Sequence, residues 1–80
     1  MARRRVKFTF PALLIQEPVI HNMSTKYNVV TNIRRANVTR ERGWVVLEIE
    51  GSDAAIDAAI ASVSAMGVRV DPIEGDVLEG

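Results

Sequence analysis

The chain has no cysteine and one histidine, His21. The first absence excludes disulfides, iron–sulfur clusters and thiolate zinc. The second leaves no basis for a histidine-built metal site, so no metal is expected. Aromatics make up 5% of the residues. At most two of them, Trp44 and Tyr27, face outward, too few for a sheet that stacks RNA bases on its middle strands. There is no net charge either: ten basic residues balance ten acidic ones. A dedicated nucleic-acid binder normally carries a basic excess, so no nucleic-acid partner is expected. No apolar run is long enough to cross a bilayer, so no membrane insertion is expected. Glycine-rich phosphate loops, paired catalytic carboxylates and a Ser–His–Asp set are all missing. The expectation is a non-enzymatic protein without a cofactor.

What is present describes one small domain. Eighty residues with 48% apolar and 25% charged side chains have ordinary globular composition. A chain this short buries only a thin core. Disulfides, metals and oligomerisation are the usual supplements, and here oligomerisation remains, so a homodimer is expected. Charge is unevenly spread: Arg3, Arg4, Arg5 and Lys7 crowd the start, and Asp71, Glu74, Asp76 and Glu79 the end. The basic start runs into an alternating V-K-F-T-F, which reads as a strand and not a signal peptide. The chain is read as intracellular and cytoplasmic.

Everything is arranged around Tyr27 to Val38, the end of a helix and the longest strand. Before it, Arg4 to Phe10 alternates with Val6, Phe8 and Phe10 on one face, a half-buried strand closed by Pro11. Leu13, Leu14 and Ile15 in the following connection are too apolar for a plain loop; they either cap the core or line an apolar pocket. Glu17-Pro18 opens a helix, with Pro18 at its first position and Ile20, Met23 and Tyr27 as its buried stripe. Asn28 suits the left-handed C-terminus.

Val29 to Thr39 forms the second strand, and its parity is mixed. Val30, Asn32, Arg34, Ala36 and Val38 share one alternation, and Val29, Thr31, Ile33, Arg35, Asn37 and Thr39 the other. Either a bulge switches the faces midway or both faces meet something, as at an edge that pairs with another chain. Arg40-Glu41-Arg42-Gly43 is a hairpin turn. The third strand, Gly43 to Glu50, sends Val45, Leu47 and Ile49 to the core; Trp44, Val46, Glu48 and Glu50 take the open face. Trp44 there is either a partner contact or a ring lying over neighbouring arginine stems. The two glutamates can hold a metal or form an acid pair, but their spacing equally describes any exposed strand. Ser52 caps a second helix with Ile56, Ile60, Val63 and Met66 inward, and Gly67 stops it. Val68 to Val70 is a last short strand, ended by Asp71-Pro72.

Strand, helix, strand, strand, helix, strand is the split βαβ, or ferredoxin-like, arrangement: an α+β fold with a four-stranded antiparallel sheet and two helices on one face. Residues 1–73 form the domain, and 74–80 a flexible acidic tail.

Several pieces in this order resemble the NIL domain. They are F-T-F-P, Glu17-Pro18-Val19-Ile20, Val29, Asn32-Ile33, Gly43 before a strand ending E-I-E-G, then A-A-I-A and G-V-R-V. The likeness spans about Val6 to Val70. That family takes its name from an Asn-Ile-Leu triplet in the second strand; here it is Asn32-Ile33-Arg34. The resemblance implies an ACT-type fold like the domain that ends the ATPase subunits of methionine-import ABC transporters. Those domains pair across subunits and bind methionine, which restrains transport. Relatives also occur joined to a ferredoxin-type domain or free-standing, and this chain is similar to the free-standing form. By the same resemblance Asn32 is the ligand contact. Ile33 and Arg34 complete the triplet, and Val38 and Val45 surround the thioether. An arginine at the leucine position would either close the pocket or select a more acidic ligand. Val30, Trp44 and Val46 are the interface candidates. The function expected is a homodimeric regulatory domain for a small amino acid such as methionine. The alternative is a ligand-free interaction module docking to a transporter or ferredoxin-type partner.

Overall fold

The computed structural model describes residues 1–14 and 17–73. The elements are β1 (Ala2–Phe10), a short 3-10 turn (Ala12–Leu14), α1 (Val19–Tyr27), β2 (Val30–Val38), β3 (Gly43–Gly51), α2 (Asp53–Ala65) and β4 (Arg69–Pro72). They form one sheet in the order β2-β3-β1-β4, with every neighbouring pair antiparallel. This is the ferredoxin-like α+β architecture expected from the element order. The expected tail at 74–80, and Ile15 in the apolar connection, lie outside the described residues.

The core forms where two alternating strands meet two amphipathic helices. Val6, Phe8 and Phe10 of β1 and Val45, Leu47 and Ile49 of β3 pack with Val19 and Met23 of α1 and Ile56, Ala59 and Val63 of α2. Phe8, Leu47, Ile49 and Ile56 are fully enclosed; burying each contributes roughly 1.5–3 kcal/mol. Phe10 meets Phe8 edge to face, with ring centroids 6.2 Å apart. Arg4, on the same side of β1, reaches Asp57 of α2 at 2.7 Å and tethers the helix from outside.

The helix ends are set by local chemistry. Asn28 takes a left-handed conformation (φ 56°, ψ 48°) and donates its N–H to the Ser24 carbonyl, as its short polar side chain allows. Ser52 caps α2 by accepting the Ala55 N–H at 3.1 Å. Gly67 follows α2 with φ 105°, a conformation that favours glycine. Gly51, at the end of β3, has a different reason: a Cβ there would lie 3.1 Å from Val29 Cγ1.

Several details depart from the sequence reading. β1 begins two residues earlier, because Ala2 and Arg3 pair with Gly51 and Glu50. Pro18 stands at the cap of α1, one position before the first helical residue. Val19, absent from the expected stripe, is buried beside Met23, while Ile20 and Tyr27 are half-buried at its flanks. In α2 the inward face is Ile56, Ala59 and Val63; Met66 lies beyond the helix end and is exposed. β4 runs on through Asp71 and Pro72, since Pro72 pairs opposite Val6 on an edge strand that tolerates a missing donor.

Candidate ligand-binding site on the edge strand

The mixed parity of β2 is resolved by a bulge. Ile33 lies opposite Leu47, but the next pair is Arg35 opposite Val46, so Arg34 is one residue too many. Before it, Thr31 and Ile33 lie opposite the helix-side residues Ile49 and Leu47. After it, Ala36 lies opposite Val45, and Val38 opposite Gly43. Val30, Asn32, Arg35 and Asn37 consequently share the open face with Glu50, Glu48, Val46 and Trp44. The bulge keeps Ile33, Ala36 and Val38 together on the helix side, although strict alternation would separate them.

The buried faces of the helices pack on β1 and β3. No residue of β2 is buried. Val30, Ile33 and Val38 are 59%, 54% and 56% exposed. β2 ends the sheet order, so its outer backbone edge meets no described strand. This edge strand carries three of the exposed large apolar side chains among the described residues.

Two clefts flank the strand. On the open face Arg3, Val30, Thr31, Asn32, Arg34, Glu48 and Glu50 line a shallow depression of about 530 Å³. Arg3 donates to Glu50 Oε2 from Nη2 at 2.7 Å and from Nε at 3.0 Å. Arg5 Nη2 donates to Glu48 Oε2 at 2.8 Å. Arg34 Nη1 comes only within 3.9 Å of that oxygen. The hydrogen bond from Arg5 holds the Glu48 carboxyl below the ordinary carboxylate range; partial burial works against it, and the charges of Arg5, Arg34 and Arg3 reinforce it. Glu50 in turn pushes the Arg3 guanidinium further up, through its hydrogen bond and its charge.

On the helix side Phe10, Leu14, Val19, Ile20, Val38 and Val45 line an apolar cleft of about 220 Å³, with Glu17 and His21 among its walls. It is smaller than the roughly 300–1,000 Å³ of a typical drug-sized pocket. Leu14 of the apolar connection does line a pocket, while Leu13 points to solvent at 92% exposure.

The residues singled out in the sequence therefore divide. Asn32 and Arg34 line the open-face cleft, Val38 and Val45 the helix-side cleft, and Ile33 neither. Among the interface candidates, Val30 is exposed. Trp44 is half-buried under the Lys7 ammonium, 5.1 Å from the ring centroid. Val46 faces the open side as expected but is buried within the chain, in register between Lys7 and Arg35. Sequence reasoning did not connect Arg3, Glu48 and Glu50 with Asn32. Parity put each on an outward face, but only strand order and register make them neighbours. Among the described residues no group of His, Asp or Glu is placed to hold a metal ion. Among the same residues no helix is long and apolar enough to cross a membrane.

The model of the NIL domain family matches residues 4–72. The chain belongs to the NIL domain family. Among solved structures, this NIL domain is similar to the C-terminal domain of an ABC transporter ATP-binding protein from Enterococcus faecalis. The two share 21% identity over 91% of this chain and 86% of that one, with a TM-score of 0.78. At that identity the likeness establishes a common fold. No curated protein sequence matches the chain.

Proposed function

We propose that this NIL domain is a regulatory, non-catalytic module that binds a small amino acid beside β2 and works in the cytoplasm as a homodimer, with the second copy closing the seam. One observation carries this reading: the nine-residue strand β2 buries none of its residues, and Asn32 stands among its exposed apolar ones. A small domain with a bare apolar edge gains by pairing that edge. The Asn32 side-chain amide hydrogen-bonds to no described residue. It is free to donate to a carboxylate and accept from an ammonium, the two groups that every amino acid presents. Membership of the family supports a ligand-binding role and makes methionine the first candidate to test.

Calorimetric titration with methionine and a panel of amino acids checks the reading, at concentrations where sedimentation shows dimers. Binding that disappears in Asn32→Ala, with the dimer intact, is the expected result. Silence across the whole panel would remove the ligand from the proposal.

A second reading keeps the interface and drops the ligand. The related fold at the end of a transporter ATP-binding protein and the exposed Val30, Ile33 and Val38 suit a module that docks on a transporter or ferredoxin-type partner. In that case Asn32→Ala leaves assembly untouched and there is no binding to lose.

A further inference from the structure

Arg34 bears on which ligand the site selects, because it lines the same depression as Asn32. Each acid of the open-face cleft already has a partner on β1: Glu50 accepts from Arg3 at 2.7 Å, and Glu48 from Arg5 at 2.8 Å. With those charges matched, Arg34 is the surplus cation of the cleft. Its guanidinium hydrogen-bonds to no described residue, and its separation of 3.9 Å from Glu48 Oε2 is too long for one. Asn32 lies opposite Glu48 in the ladder. An amide with no hydrogen bond and a guanidinium held only by a long ion pair to Glu48 therefore line the same depression.

The apolar surroundings of this cleft are thin. Val30 is its one aliphatic hydrophobe, while Val38 and Val45 line the cleft on the opposite side of the sheet. A thioether lying beside Asn32 would touch little beyond charged groups, and burying apolar surface there would gain little. A second carboxylate would instead meet the planar fork of Arg34, whose paired N–H groups match carboxylate geometry.

We infer that the Asn32–Arg34 cleft selects a small acidic ligand, an acidic amino acid or short dicarboxylate, with Arg34 holding the side-chain carboxylate. This inference rests on the reading of Asn32 as the ligand contact and changes only the ligand class. Arg34 acts as the specificity residue, two positions along β2 from Asn32 and in the same cleft.

The test titrates the full chain with glutamate, aspartate and methionine, for wild type, Arg34→Leu, Arg34→Gln and Asn32→Ala, with circular dichroism confirming each fold. The wild type is expected to bind an acidic amino acid roughly tenfold or more tighter than methionine, the scale of one charge-assisted hydrogen bond. Both Arg34 variants should lose that preference, and added salt should narrow it in the wild type. Using Gln as well as Leu separates loss of charge from any effect on the bulge. Methionine bound tighter than both acids, with Arg34→Gln unchanged, would overturn the inference and leave the amino-acid site standing. If no amino acid binds the wild type, the inference and the reading beneath it fail together.

Discussion

β2 and β3 are neighbours of equal length, hydrogen-bonded along nearly all their residues, yet their environments are opposite. Six of the nine residues of β3 are buried and none of β2. β3 lies inside the sheet beneath the helices; β2 lies at its edge. The apolar content is not what separates them, since β2 carries Val30, Ile33, Ala36 and Val38. The difference shows that one sheet has an interior that holds the fold and a margin that buries nothing. It also explains why the bulge falls in β2: an edge strand accepts an extra residue without disturbing partners on both sides.

The largest way to sharpen that contrast is a cavity in the interior. Phe8→Ala should cost about 3–5 kcal/mol, a large part of the stability of so small a domain, and urea unfolding will show a collapsed midpoint or no folded state. A smaller effect is expected where β3 meets the start of β2. In Gly51→Ala the new Cβ sits 3.1 Å from Val29 Cγ1. Crowding of this kind costs roughly 1–3 kcal/mol, read as a lowered thermal midpoint. If the strand ends shift freely to accept it, the close-packed boundary between the two strands is softer than described.

A third experiment concerns the ion pairs that link β1 to β3 on the open face. The Glu48 carboxyl titrates lower in the folded chain than when unfolded, chiefly through its hydrogen bond from Arg5. Its contribution is therefore complete above the unfolded value of about 4.3 and fades as pH falls through the lower folded value. Urea midpoints should drop with acidification in this window, and more gently in Glu48→Gln. Equal slopes would show that the pair does nothing for the fold.

The smallest effect on stability should come from the margin itself. Ile33→Ser should lower the unfolding free energy of dilute protein by about 1 kcal/mol or less, because the residue is already 54% exposed. The same change should weaken self-association measured by sedimentation, if β2 is the seam. A large loss of monomer stability would break the comparison outright.

Much of this could be read along the chain. Phe8 and Leu47 announced their faces because a sheet with a core on one side and water on the other imposes a period of two. Asn28, Ser52 and Gly67 announced helix ends because those needs are local. The candidate site was legible only in part. Asn32 and Arg34 do share a cleft, but Val38 and Val45 belong to the other face. A one-residue bulge reverses every later side chain, and nothing local distinguished Arg34 from Arg35 as the extra residue.

By itself the sequence determined the order of elements, the interior of the two central strands and the stops of the helices, since each follows from short-range patterning and backbone preference. Only the tertiary structure decided that Arg3, Glu48 and Glu50 surround Asn32, that Lys7 covers Trp44, and that β2 is left bare. Those facts depend on which strands become neighbours and in what register. Contacts between distant parts of the chain fix both, so no window of neighbouring residues contains them.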